Sequence, residues 1–179
     1  YLSLTEAIEK NLITDYTVVL FSINRKELPA AVAQAIEGGD EEIWLNFIAE
    51  KAFREIKECT NMILYFNTLK NARKFVEYHS KFEHFEPVEV FYIDGKMSIT
   101  EKMKALEAFQ VSKKGILCNV ACIQEGTDLP RTNAVMFANP RSSELSILQN
   151  GFRAMTNVDG KSRAHIIIPV IYEQDEDLD

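Results

Sequence analysis

The sequence predicts an α/β domain in which a mostly parallel sheet is covered by helices on both faces. Short segments of strand length alternate with segments of helical periodicity, and the strand-like segments are almost continuously apolar, as buried parallel strands are. The length of 179 residues suits a single domain. The six predicted strands are Tyr16–Ile23, Met62–Asn67, Val88–Ile93, Gly115–Val120, Ala134–Ala138 and His165–Val170.

Helical spacing of apolar side chains predicts the elements between these strands, and the resulting stripes are predicted to be core faces. Gly38-Gly39-Asp40 is predicted as a loop between helices. Ser98 with Glu101 is a helix start signal, and the last helix is predicted over Glu144–Met155. The stripes consist of Trp44, Phe47, Ile48 and Phe53; Leu69, Ala72, Phe75, Val76 and His79; Met103, Leu106 and Phe109; and Leu145, Leu148 and Phe152.

The net charge of −7 argues at first against a nucleic-acid partner, whose phosphates require Lys and Arg. Five of the 27 acidic side chains lie in the tail 173–179. Without the tail, 22 acidic side chains face 20 basic ones, so the body of the domain is nearly neutral. A local basic surface is therefore compatible with this composition.

The cysteines and histidines favour an intracellular protein without a metal site. Cys59, Cys118 and Cys122 are odd in number and form no C-x-x-C pair, which predicts buried reduced thiols. The three histidines have no metal-ligand spacing with them. No apolar segment approaches the roughly 20 residues that cross a bilayer. We expect an intracellular location, cytoplasmic if the source is a bacterium or phage.

Two stretches imitate a phosphate-binding loop without its context. Gly95-Lys96-Met97-Ser98 has the wrong ending, and Gly160-Lys161-Ser162 leads into a strand. A phosphate-binding loop must leave a strand and open a helix, so that backbone N–H groups face the phosphates. The acidic clusters Asp40-Glu41-Glu42 and Asp175-Glu176 do not end a buried strand as magnesium ligands would. The chain is predicted to lack its own phosphate-binding loop.

Chemistry is expected at the carboxyl ends of the strands, where parallel α/β sheets place their ligands. The informative region is Lys114–Val170, in which Gly126, Thr127 and Asp128 follow a buried strand. Gly126 permits close backbone approach, while Thr127 and Asp128 offer a hydroxyl and a carboxylate. A plain turn that ends at Pro130 is the alternative reading of these residues alone.

The order of segments resembles the second RecA-like domain of superfamily 2 helicases and translocases, and this resemblance covers essentially the whole chain. Asn119–Pro130 resembles motif V, whose core is roughly E-G-φ-D-φ-P with φ apolar, and Leu148–Thr156 resembles motif VI, commonly Q-x-x-G-R-x-x-R. Met62–Thr68 resembles motif IV, and Ile93–Ser98 resembles the segment between motifs IV and V. Tyr1–Tyr16 resembles the linker of restriction-type members.

The resemblance implies a nucleotide site shared with another domain. Gly126 and Asp128 match residues that contact the nucleotide, and Gln149 and Arg153 match motif VI residues that face ATP. Arg153 would be the catalytic residue, an arginine finger that stabilises charge on the γ-phosphate. A helix-surface ion pair is the alternative role for Arg153.

The resemblance also implies a nucleic-acid track. Asn67, Thr68, Asn119 and Thr127 stand where the family contacts the nucleic-acid backbone, and Lys96 would add a phosphate contact. For Lys96, a solvated turn residue is the alternative. DNA is the expected partner because the linker and the Glu-Gly-Thr-Asp-Leu-Pro sequence look restriction-type, although RNA stays open.

Two positions depart from motif VI. Phe152 stands at the motif glycine beside Gly151, and Thr156 replaces the second arginine. The resemblance therefore implies efficient hydrolysis only if Arg131 or Arg163 takes the place of the second arginine. A register shifted by one residue would place Phe152 at the first arginine, so the register that matches Arg153 is preferred.

The sequence thus predicts a three-layer RecA-like domain at 16–172, preceded by a linker at 1–15 and followed by the acidic tail at 173–179. We expect the C-terminal half of an ATP-dependent DNA helicase or translocase, with ATP and Mg²⁺ held mainly by a preceding RecA-like domain of the same polypeptide. The chain by itself is expected to be inactive. The alternatives are a catalytically degenerate nucleic-acid-binding or regulatory module and a flavodoxin-like protein.

Overall fold

The computed structural model describes residues 3–40, 43–80, 88–120, 122–123, 127–138 and 144–173. Its six strands form one all-parallel sheet, which confirms the predicted fold class. Every predicted strand is present, with ends that differ by no more than two residues. The strands are β1 (Tyr16–Asn24), β2 (Asn61–Tyr65), β3 (Glu89–Ile93), β4 (Gly115–Asn119), β5 (Ala134–Phe137) and β6 (Ala164–Tyr172).

The strands lie in the order β1-β6-β5-β2-β4-β3, so the sheet has β1 and β3 at its edges. All residues of β2, β4 and β5 are buried, because each of these strands has a neighbour on both sides and helices over both faces. β1 pairs only with β6, over nine residue pairs from Tyr16 with Ala164 to Asn24 with Tyr172. Because all strands are parallel, their carboxyl ends meet at one edge of the sheet.

Helices form a layer on each side of the sheet. They are α1 (Leu4–Glu9), α2 (Ala30–Glu37), α3 (Ile43–Glu55), α4 (Leu69–Ser80), α5 (Ile99–Val111) and α6 (Glu144–Phe152). One core cluster joins the sheet to α2, α3 and α4 around Phe53 and Phe75, and the other joins it to α5 and the end of α6 around Phe109 and Met155. α5 begins at the predicted capping box, since the Ser98 hydroxyl accepts from the Glu101 N–H.

The last helix ends earlier than its apolar spacing predicts. α6 stops at Phe152, and a 3₁₀ turn occupies Arg153–Met155. Groups outside the helix bind the carbonyls at its end: the Lys161 ammonium donates to Ala154, and the Thr14 N–H donates to Met155. Because these tertiary bonds satisfy carbonyls that a continuing helix would use, the last turn tightens.

Not all predicted stripes are core. Phe53, Phe75 and Phe109 are fully buried, as predicted, but Met103 on α5 is 48% exposed, contrary to the prediction. Leu148 and Phe152 on α6 are 49% and 43% exposed. The prediction that the α6 stripe is a core face is therefore wrong for these two residues, because α6 packs on the sheet through another side. Gly151 provides that contact, since a Cβ there would lie 3.1 Å from Ile166.

Part of the sheet face over β1 and β6 is uncovered. Leu20 and Ile168 are register partners and point to the same face, where they are 67% and 39% exposed. Val18 and Tyr172 flank them on that face and are also half-exposed. In the described part of the chain, α6 covers this face only as far as Ile166.

Candidate nucleotide and nucleic-acid site

The carboxyl edge of the sheet places several predicted nucleic-acid residues close together. β4 pairs with both β2 and β3, and Tyr65, Asn119 and Ile93 stand in register at the ends of these strands. Asn67 and Thr68 follow β2 and are exposed at this edge. The Thr68 hydroxyl accepts from an N–H of the first turn of α4, that of Asn71, at 3.2 Å. Asn67 and Thr68, at the end of the segment that resembles motif IV, thus form an exposed polar surface at the carboxyl edge of the sheet, which we call the polar ledge.

Asn119 lies beneath that ledge. It is only 2% exposed, and its amide oxygen accepts a hydrogen bond of 3.0 Å from the Cys122 N–H. Its backbone carbonyl accepts from the Phe66 N–H at 3.0 Å. In this conformation Asn119 shapes the turn after β4 and presents no exposed amide at the surface.

Lys96 is exposed in a turn that Asp94 organises. The Asp94 carboxylate accepts from the Tyr92 hydroxyl at 2.9 Å and from the backbone N–H groups of Lys96 and Met97 at 2.7 and 3.1 Å. The Tyr92 bond and these N–H donors lower the pKa of Asp94 below its usual 3.8, although burial opposes them. Arg73 of α4 adds a second exposed cation, 3.6 Å from Asp94. Sequence reasoning directed attention to the segment Asp94–Ser98 but gave Asp94 no role, and it missed Arg73, for which the sequence offers no signal.

The structure brings the segments that resemble motifs V and VI into contact through Arg153. This side chain is half-buried in the 3₁₀ turn after α6, and its guanidinium donates to the Thr127 carbonyl at 3.0 Å. A longer bond of 3.5 Å reaches the Ile123 carbonyl.

Asp128 and Gln149, two of the other predicted nucleotide residues, lie on the segments that this contact joins, as does Thr127, which was predicted to contact nucleic acid. Asp128 and Gln149 are exposed, and Thr127 is half-buried. Gly126 lies outside the described residues. A mainly apolar groove of about 440 Å³ runs between α5 and residues 127–129, and Asp128 lies at its border. The two segments that Arg153 joins therefore carry the Asp128 carboxylate, the Gln149 amide and the Arg153 guanidinium. The carboxylate and the amide can bind hydroxyl groups, and the guanidinium can bind phosphates, so the set suits a polyanionic, hydroxylated ligand.

Lys161 was assigned no role by sequence reasoning, beyond its place in a false phosphate-binding loop. The structure confirms that Gly160-Lys161-Ser162 is not such a loop, since it leads into β6. The Lys161 ammonium instead donates to the carbonyls of Thr132, Ala154 and Thr156. No sequence pattern signals this, because backbone carbonyls are present at every position.

The two arginines considered as replacements for the second motif VI arginine lie at the start of β1 and at the amino edge of the sheet. Arg163 binds Asp15 at 3.1 Å and the Thr17 hydroxyl at 3.0 Å, at the start of β1. Arg131 borders a small polar cavity of about 180 Å³ at the amino edge of the sheet. Thr156 itself forms a β-bridge with Ile13.

The described residues contain neither a metal-binding cluster nor a membrane-spanning helix. No group of three or more His, Cys, Asp or Glu side chains that could hold a metal ion occurs among them. None of the helices in the described ranges has the length and apolar character needed to span a bilayer.

Comparisons with known proteins identify the family. The sequence model of the family described as "Helicase conserved C-terminal domain" matches residues 44–156. A search of curated proteins found no match. The fold is similar to that of the ATP-dependent Type ISP restriction-modification enzyme LlaBIII bound to DNA, with a TM-score of 0.71, 18% identity, and coverage of 93% of this chain but 12% of that one.

DEAD-box proteins share the fold as well. Domain 2 of the Mss116p helicase bound to an RNA duplex gives a TM-score of 0.54 at 17% identity, covering 90% of this chain and 65% of that one. E. coli SrmB, bound to regulator of ribonuclease activity A, gives 0.58 at 14% identity, covering 73% and 72%. The family match spans well over half of the chain, and the all-parallel sheet agrees with it. The chain belongs to the helicase conserved C-terminal domain family and has a RecA-like α/β fold.

Proposed function

We propose that this domain is the C-terminal half of an ATP-dependent DNA helicase or translocase. In this proposal residues 1–15 are the linker from a preceding RecA-like domain. That domain supplies the phosphate-binding loop, the Mg²⁺ ligands and the general base. ATP lies in the cleft between the two domains, and its hydrolysis opens and closes the cleft, which moves the protein along a strand.

The observation that carries the proposal is the contact between Arg153 and the Thr127 carbonyl. Arg153 is the only basic side chain of the segment 148–156, and it contacts the residue that precedes Asp128, which supports a shared nucleotide site. Arg153 would exchange its carbonyl contacts for the γ-phosphate and stabilise the charge that develops there. Asp128 and Gln149 would contact the nucleotide beside it, and Gly126 would permit close approach.

The nucleic-acid track is assigned to the polar ledge at the carboxyl edge of the sheet. Asn67 and Thr68 are exposed there, and Lys96 would add a phosphate contact. Thr127 would contribute from the motif V segment, while Asn119 would act from beneath by shaping the turn after β4. DNA is the proposed partner because the fold is shared with LlaBIII, which was solved with DNA, and because the linker resembles restriction-type members.

The test is Arg153→Ala in the full-length protein, with ATP turnover measured with and without duplex DNA. We expect kcat to fall by about 10³-fold while KM for ATP changes by less than about threefold, since a finger acts mainly in the transition state. Arg163→Ala is the matched control, because Arg163 is paired with Asp15 and takes no part in the site. Unchanged turnover in Arg153→Ala would remove the finger role.

A second candidate is a degenerate module that binds nucleic acid without hydrolysis. It is favoured by Thr156, which replaces the second motif arginine and is fixed in a β-bridge with Ile13. Full-length protein that binds DNA and a non-hydrolysable ATP analogue, yet shows no DNA-stimulated turnover, would support this candidate over the helicase.

A further inference from the structure

The Lys161 ammonium lies at the centre of a cluster of three backbone carbonyls. It donates to Thr156 at 2.7 Å, to Thr132 at 2.8 Å and to Ala154 at 3.2 Å. An ammonium group has three N–H donors, so this cluster matches its full hydrogen-bonding capacity. The side chain is half-buried, and its bonds are charge-assisted, which makes them stronger than bonds between neutral groups.

These carbonyls belong to the two segments that form the nucleotide site. Ala154 and Thr156 lie in and just after the turn that carries Arg153. Thr132 lies on the other segment, five residues after Thr127, and its N–H is bound to the Leu129 carbonyl at 3.0 Å. Arg153 bridges the same two segments through Thr127. Two cations therefore tie one pair of segments together, and only one of them faces the proposed ligand.

We propose that Lys161 is a positioning residue for Arg153, because its ammonium holds the turn 153–156 against the segment 127–132. The side chain does not reach the nucleotide. It fixes the backbone from which the Arg153 guanidinium extends, and a displacement of about 1 Å in such a group can cost about 100-fold in rate. This inference rests on the proposed function, in which Arg153 acts on ATP.

The charged groups around Lys161 set the pH range in which it can act. Burial lowers the pKa of Lys161 from its usual 10.5 to about 8, and the carboxylate of Asp128 opposes that shift. Asp159 and Arg131 border the cavity next to Lys161, and Arg153 lies on the turn it holds. The ammonium is therefore charged at neutral pH and loses its proton in mildly alkaline solution, when the tie between the two segments weakens.

The test uses the full-length protein and compares Lys161→Met with Arg153→Ala and with the double variant. Lys113→Met is the matched control, because Lys113 is an exposed lysine at the same amino edge of the sheet. We expect Lys161→Met to lower kcat by 10- to 100-fold with little change in KM for ATP, and Lys113→Met to change neither. In the double variant, kcat should match that of Arg153→Ala within about twofold, since Lys161 acts through Arg153.

A second readout separates positioning from general stability. The ratio of wild-type kcat to Lys161→Met kcat should fall between pH 7 and pH 9.5, because only the wild type has an ammonium to lose. Lys161→Gln takes the place of Lys161→Met if the latter does not fold.

The outcomes distinguish the positioning role of Lys161 from the finger role of Arg153. A normal kcat in Lys161→Met, a loss that adds fully to that of Arg153→Ala, or a kcat ratio constant with pH would overturn the positioning role while leaving the finger intact. Normal turnover in Arg153→Ala would overturn both, and would do so without reference to Lys161.

Discussion

Replacing Asn133 with alanine is expected to destabilise the domain at the amino edge of the sheet. The Asn133 amide oxygen accepts from the N–H groups of Thr60 and Asn61, both at 3.1 Å, and its amide nitrogen donates to the Glu58 carbonyl at 2.6 Å. Its backbone also joins β2 to β6, through bonds with Asn61 and His165. The side chain thus fixes the start of β2, the strand between β4 and β5.

The size of the effect depends on which groups lose their partner. Asn61 is 1% exposed, so its N–H would be buried without a partner, at a cost of about 1–3 kcal/mol. Thr60 and Glu58 are exposed, so water can replace their bonds and each contributes about 0.5 kcal/mol or less. We therefore expect the free energy of unfolding to fall by about 1–4 kcal/mol.

Urea denaturation of the 179-residue chain, followed by circular dichroism, measures this loss at an unchanged m-value. Asn157→Ala is the control, because Asn157 is exposed and its amide makes one bond, to the Asn11 carbonyl. The control should change stability by less than about 0.5 kcal/mol. Equal losses in the two variants, or a loss below about 1 kcal/mol in Asn133→Ala, would refute the reasoning about the buried N–H.

Three further predictions follow from single sites. Gly115→Ala should cost about 1–3 kcal/mol, since its Cβ would lie 2.4 Å from the Ser112 hydroxyl, whereas Gly95→Ala has open space and should be near neutral by the same urea assay. Asp94→Asn should lower stability by about 1 kcal/mol at pH 7. Because the folded pKa of Asp94 is lowered, this difference should persist above pH 3.8 and vanish as the pH falls through the folded pKa, which a pH series of urea titrations checks. Leu20→Lys should change stability by less than about 0.5 kcal/mol and reduce light scattering on heating, whereas a loss above about 1 kcal/mol would mean that this face is covered.

Much of the fold could be predicted because burial leaves a pattern in the residues themselves. β2, β4 and β5 are covered on both faces, so their continuous apolar sequences were sufficient to find them. The helix α1 was not predicted, because none of its six residues is buried and burial therefore left no helical pattern in its sequence. Ser3 and Glu6 nevertheless form a capping box at its start. The strand order also lay beyond the sequence, because it depends on contacts between distant elements.

The candidate site, like the fold, could be predicted only in part. Arg153, Asp128 and Gln149 could be predicted, because motifs V and VI are recognised by the types of their side chains. The hydrogen-bond partners of Arg153 and Lys161 could not be predicted, because they are backbone carbonyls and every residue has one. Asn119 shows the converse case, since a residue type expected at the surface is buried and binds the Cys122 N–H.

The pairing of β1 with β6 has a consequence for biosynthesis. Thr17 and its contact Arg163 are 146 residues apart in the chain, and β1 has no other neighbour in the sheet. At the ribosome's pace of about 5–20 residues per second, β1 is made roughly 7–30 s before its partner strand emerges. Throughout that interval an apolar strand that includes Val18, Leu20 and Phe21 stays without its native pairing. β1 is therefore translated before the other five strands of this sheet, yet it is among the last to be paired.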